Sequence, residues 1–205
     1  MDSPPFLRLK DKNMNLKVCT VNTEYIEYLR NDERLSNVFE NKESNNLSIR
    51  KYIGVVFEIN GYQYFAPLSS PKSTDYKIVN GEQQIRRSTI PIIRIIIPDE
   101  NNLPELKGTI KLSNMIPVPN SEIFSYDVTE EPRRNYQILV EKEIEFISNK
   151  ENLILRNASL LYRQKTYEHE IYTGDVHKPG YLSATVDFKY AEQMHDKYIQ
   201  EHSAS

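Results

Sequence analysis

A chain of 205 residues, 39% hydrophobic and 27% charged, is long enough to bury one substantial core and has the composition of a soluble globular protein. A single cysteine, Cys19, excludes an internal disulfide, and four histidines without ligand spacing give no reason to expect a metal or another cofactor. The net charge of −3 argues against a uniformly basic nucleic-acid binder. The longest apolar run, 90–97, contains Pro91 and Arg94 and is far too short to span a membrane, so a cytoplasmic location without membrane contact is expected.

Residues 1–13 carry Pro4-Pro5 and alternating charges without periodicity and read as a disordered leader, with 14–205 as one domain and Met14 as a second possible start. Asn15 to Val21, after Met14, reads as a strand. Thr23 is placed to cap a short helix in which Tyr25, Tyr28 and Leu29 recur at helical spacing, and the Asn-, Asp- and Glu-rich run 31–46 reads as an exposed loop.

The next stretch, 51–72, organises the chain. Asn60-Gly61 between runs rich in Val, Ile, Phe and Tyr is a two-residue hairpin turn, which places Ile59 opposite Tyr62 and Glu58 opposite Gln63. Counted outward, the same register brings Lys51, Ser69, Ser70 and Lys72 to one open rim. Residues 73–84 read as a polar loop turning at Asn80-Gly81, and 90–97 as a buried strand with its start pushed to an edge by Pro91. Short strand-like runs come next at 108–112 and 115–119. Helical periodicity then marks 132–150, 154–167 and 186–201, the second with Leu155, Ala158, Leu161 and Tyr162 inward. The fold class is α+β: a strongly bent, partly open β-barrel core with helices mainly after the sheet.

Charge is unevenly spread. From Leu68 to Ile97, Lys72, Lys77, Arg86, Arg87 and Arg94 face only Asp75 and Glu82, whereas over 99–145 ten acids stand against five bases. A basic groove on an acidic body fits this as naturally as scattered solvated charge, and in the first case Arg86, Arg87 and Lys77 are the candidate phosphate contacts. Tyr25 and Tyr28 are candidate stacking surfaces for RNA bases, in competition with plain core packing.

Phosphate-binding glycine loops are absent, and neither Ser69 nor Ser70 sits in a Gly-x-Ser-x-Gly elbow or beside a histidine, which disfavours a serine hydrolase. Two lysines and two hydroxyls on one rim suit a phosphodiester: ammonium groups neutralise the charge that develops on the phosphoryl oxygens and hydroxyls donate hydrogen bonds to them. With RNA as substrate, its own 2′-hydroxyl can attack, leaving a 2′,3′-cyclic phosphate and a 5′-hydroxyl. Lys51, its pKa lowered among cations, is one proton acceptor, and orientation without a strong base is another. A non-catalytic RNA-binding module of the same fold is the alternative reading.

The segments 24–29, 52–61, 64–72 and 110–117 together resemble the ToxN/AbiQ family, the endoribonuclease toxins of type III toxin-antitoxin and abortive-infection systems; the most specific part is Pro67-Leu68-Ser69-Ser70-Pro71-Lys72. The resemblance implies a fold similar to the Kid/MazF toxins and metal-independent, sequence-preferring RNA cleavage. It assigns activity to Ser70, with Ser69 where a threonine is common, active-site lysines to Lys51 and Lys72, and an aromatic near the site to Tyr25. It also implies a partner, an RNA antitoxin made of tandem repeats, which the toxin cuts from its precursor and binds as pseudoknots in a closed protein-RNA assembly. Cellular and phage RNA would be the substrates of anti-phage defence.

Overall fold

The computed structural model describes residues 16–39 and 52–202. The leader 1–13, the part of the polar run beyond residue 39, and Lys51 lie outside them.

β1 (Lys17–Val21) leads into α1 (Thr23–Arg30), whose cap is Asn22 rather than the expected Thr23: the Asn22 carboxamide oxygen accepts from the Glu24 amide at 3.0 Å. β2 (Tyr52–Ile59) and β3 (Tyr62–Ser69) form the expected hairpin in the expected register, Ile59 opposite Tyr62 and Glu58 opposite Gln63. Asn60 and Gly61 both have positive φ, 52° and 85°, as a type I′ turn requires. The polar run expected as a loop contains instead a second hairpin, β4 (Tyr76–Val79) and β5 (Glu82–Ile85), turning at Asn80-Gly81. It forms a separate two-stranded sheet in which Lys77, Ile78, Glu82, Gln83 and Gln84 are exposed.

β6 (Ile92–Pro98) and β7 (Pro104–Lys111) come next, then β8 (Ile116–Pro117) and β9 (Ile123–Ser125). The main sheet runs β6-β7-β3-β2-β1-β9, with β8 paired separately to β3. Among the described residues it is antiparallel and open, with β6 and β9 as its ends, and does not close into a barrel; β6 lies at an edge, as Pro91 implied. α2 (Arg134–Asn149), α3 (Glu151–Thr166), the short α4 (Glu168–Ile171) and α5 (Phe188–His202) come after the sheet. Among the described residues no helix is long and apolar enough to cross a membrane.

The apolar stripes of these helices close one core over the sheet. α3 buries Ile154, Ala158, Leu161 and Tyr162, with Ile154 taking the inward place expected of Leu155. Tyr64 of β3, Tyr162 of α3 and Phe188 of α5 meet with ring centres 5.7 to 5.9 Å apart. The Glu192 carboxylate accepts from both tyrosine hydroxyls, at 2.9 and 2.8 Å, and from the Lys189 ammonium at 2.8 Å, so its buried charge is fully engaged.

Candidate active site

The site is set by where β3 parts from β2. Their ladder ends at Gly54 opposite Pro67; beyond it, β2 stays with β1 through Tyr52 opposite Val21, while the end of β3 stays with β7 through Leu68 opposite Ile110 and Ser69 opposite Thr109. Pro67 has no amide hydrogen to give a ladder. Across from it, a Cβ on Gly54 would lie 2.4 Å from the Ala66 carbonyl oxygen and 2.5 Å from the Phe65 ring, so the strands meet too closely here for any side chain. The sheet therefore divides into two wings at Pro67, and Ser69 and Ser70 end the β6-β7 wing. The expected rim placed Lys51 beside Ser70 in this register; the β2–β3 ladder runs as far as Gly54 opposite Pro67, and Lys51 lies outside the described residues.

Ser69 is half-buried and Ser70 exposed. The Ser69 hydroxyl donates to the Ser70 carbonyl at 3.3 Å, and the Thr109 hydroxyl donates to the Ser69 carbonyl at 3.4 Å, which fastens the strand end to β7. Directly opposed residues share a face in an antiparallel sheet, so Ser69, Thr109 and Arg94 form one row across β3, β7 and β6.

Arg94 anchors the turn that leaves the serines. It is 5% exposed and pairs with Asp75, 1% exposed, at 2.9 Å. Its other terminal nitrogen donates to the Arg87 carbonyl at 2.6 Å and its amide to the Ser88 hydroxyl at 2.8 Å. The second oxygen of Asp75 accepts from the Lys72 amide at 3.0 Å, and the Asp75 amide donates to the Lys72 carbonyl at 2.9 Å. One buried ion pair thus fixes the backbone that presents Lys72, whose side chain is exposed just past Ser70. The Arg86 amide donates to the Asp75 carbonyl at 2.9 Å, so the same pair holds the base of the β4–β5 hairpin.

Lys111 stands one row along from Thr109 on the same face of β7, opposite Ile92. Half-buried, its ammonium is pushed below the ordinary lysine range by burial; Asp75 opposes this, and Lys72 and Arg94 add to it. Lys77, Arg86 and Arg87 are exposed on or beside the second hairpin, with the Arg86 guanidinium donating to the Tyr76 carbonyl at 3.0 Å.

The two tyrosines are elsewhere. Tyr25 is fully buried, donates its hydroxyl to the Pro117 carbonyl at 2.6 Å and meets Tyr198 edge-on at 4.9 Å, so as placed it offers RNA no surface and is a core residue. Tyr28 also packs edge-on to Tyr198, at 5.0 Å, and burial, then Glu201, push its hydroxyl up to about 12. Both belong to the contact between α1 and α5. Asp75, Arg94 and Lys111 do not stand out in the sequence as site residues. A charge inside the apolar run 90–97 is the one available signal, because a buried guanidinium demands a carboxylate. Among the described residues no three His, Cys, Asp or Glu side chains converge as metal ligands do.

The antiparallel sheet thus ends, at β3, in two serine hydroxyls followed by Lys72, with the Asp75–Arg94 ion pair buried behind them. The model of the family described as "Toxin ToxN, type III toxin-antitoxin system" matches residues 17–196, and the chain belongs to that family. It is 28% identical over 193 residues to Endoribonuclease ToxN of Bacillus thuringiensis subsp. kurstaki, covering 93% of this chain and 88% of that one. It is 29% identical over 183 residues to Endoribonuclease AbiQ of Lactococcus lactis subsp. lactis, covering 87% of each. Among solved structures, a bacterial type III toxin described as selectively inhibited by a non-coding RNA pseudoknot superimposes with a TM-score of 0.67 at 26% identity, over 90% of this chain and 98% of the other.

Proposed function

We propose that this ToxN-family enzyme is a metal-independent, sequence-preferring endoribonuclease toxin that cuts RNA at the end of β3. The observation that carries the reading is the fixed end of β3, where Ser69 is tied to Thr109 and the Lys72 backbone to the Asp75–Arg94 pair. The scissile phosphate is held by the Ser70 and Ser69 hydroxyls and by the ammonium groups of Lys72 and Lys51. The 2′-oxygen bonds to phosphorus as the bond to the 5′-oxygen breaks. The proton lost by the 2′-hydroxyl is balanced by the one gained at the leaving 5′-oxygen, so the products are a 2′,3′-cyclic phosphate and a 5′-hydroxyl with no water consumed. The protein's part is orientation and charge, with hydroxyl donors aimed at the oxygens that become more negative in the transition state.

The open, divided sheet is, in this reading, a platform of the Kid/MazF kind. Lys77, Arg86 and Arg87 guide the RNA beyond the cut. An RNA antitoxin, cut by the toxin from a tandem-repeat precursor and folded as a pseudoknot, blocks the same surface within a closed assembly. The toxin acts in the cytoplasm on cellular and phage RNA as part of anti-phage abortive infection. Family membership and the pseudoknot-inhibited structural relative support this partnership.

The test is cleavage of a long RNA in EDTA by the unmodified chain and by Ser70→Ala. The unmodified chain is expected to leave ends that a kinase phosphorylates without prior phosphatase treatment, and Ser70→Ala to lose at least about 100-fold in rate, the usual scale for one donor to a developing oxyanion. Ends that already carry a 5′-phosphate, or full activity in the alanine variant, contradict the reading.

A further inference from the structure

Arg94 pairs with the Asp75 carboxylate at 2.9 Å next to the strand end that carries Ser69 and Ser70, and Lys111, on the same face as Arg94 and Ser69, feels the charges of Asp75, Lys72 and Arg94. Asp75 is already bonded to Arg94 through one oxygen and to the Lys72 amide through the other. Among the described residues neither Lys111 nor Lys72 has an ion-pair partner, so the cluster keeps an excess of positive charge at a half-buried place where charge is costly. An isolated lysine on an edge is normally solvated; Lys111 is on β7 inside the sheet, one row from the Thr109 hydroxyl that holds the Ser69 carbonyl, and on the same face as Ser69. An anion at the strand end would meet this excess and neutralise it.

We infer that Lys111 is a further catalytic residue of this site: its ammonium, on the Ser69 face of β7, contacts the scissile phosphate and stabilises the charge that builds on it. This rests on the RNA-cleavage reading of the same strand end. Lys111 transfers no proton in this role; it must stay charged to act. The groups facing it are Asp75 and Lys72 from the turn and Arg94 from β6, and burial with the two cations lowers its pKa against the opposing carboxylate. The ammonium is therefore complete below that lowered pKa, and its contribution is lost as pH rises through it.

The experiment compares the unmodified chain with Lys111→Met and Lys111→Arg on one RNA across pH, after circular dichroism and thermal melting have shown each variant folded. Methionine keeps the buried stem and removes the charge, so it keeps the strand packed where a smaller residue would leave a gap. The expected result is a fall in kcat of about 100-fold or more for Lys111→Met with KM changed far less, in line with loss of one charge-stabilising donor. Lys111→Arg recovers most of the rate and moves the alkaline decline to higher pH, because a guanidinium stays charged. A methionine variant within about threefold of the unmodified rate overturns the inference, as does an arginine variant as slow as the methionine one. Absence of 5′-hydroxyl products from the unmodified chain instead overturns the cleavage reading beneath it, so the two failures are told apart.

Discussion

At the scale of single residues, the site depends on a buried charge pair that touches no substrate. Asp75 and Arg94 are almost fully removed from water, and each holds backbone with one further atom, the Asp75 second oxygen the Lys72 amide and an Arg94 terminal nitrogen the Arg87 carbonyl, while the Arg94 Nε is left without a partner among the described residues. Removing one partner strands the other. Asp75→Ala is therefore expected to destabilise the fold by about 3–5 kcal/mol, the usual penalty for an uncompensated buried charge. The double variant Asp75→Leu with Arg94→Met recovers most of that loss yet leaves cleavage low, because nothing then fixes the Lys72 amide. Urea unfolding and RNA cleavage on the same three proteins check this; a stability loss below about 1 kcal/mol for the single variant contradicts it. The serines and lysine of the Ser69-to-Lys72 turn are legible from residue type and hairpin position. Asp75 and Lys111 are not, since an acid in a polar run and a lysine on a strand look solvated until a partner strand covers them.

At the scale of elements, the hairpin and its register can be read from the sequence because Asn60-Gly61 requires positive φ at both turn positions and the flanking runs alternate between faces. The equal turn signal at Asn80-Gly81 reads only as a loop, because the strands on either side are short and mostly polar, with Lys77, Glu82, Gln83 and Gln84 exposed. A lone two-stranded hairpin is marginal in water, and here the Asp75–Arg94 pair and the Arg86 amide fasten its base. Where the ladder stops is not legible either, for it depends on tertiary closeness at Gly54. Gly54→Ala would drive a methyl into the Ala66 carbonyl and the Phe65 ring. The expected cost is about 1–3 kcal/mol, as for overpacking elsewhere, with cleavage reduced because the serines ride on the displaced strand. A melting temperature equal to that of the unmodified chain would show that the strands have room to part.

At the scale of the whole molecule, a chain of net charge −3 needs only a local surplus of positive charge for the proposed grip on an anionic polymer, and Lys72, Lys77, Arg86 and Arg87 supply one between the end of β3 and the second hairpin. Helices α3 and α5 hold the other end of β3 through Tyr64, Tyr162 and Glu192, so the strand is rigid at its start and chemically equipped at its finish. In the proposed mechanism the nucleophile is left to the substrate: the protein grips a phosphate and the RNA cuts itself. The most direct measurement uses an RNA carrying one 2′-deoxynucleotide on the 5′ side of a mapped cleavage site. Cleavage at that bond should vanish while other sites and overall binding are unchanged; a cut at the deoxy-substituted bond would contradict attack by the substrate's own 2′-hydroxyl.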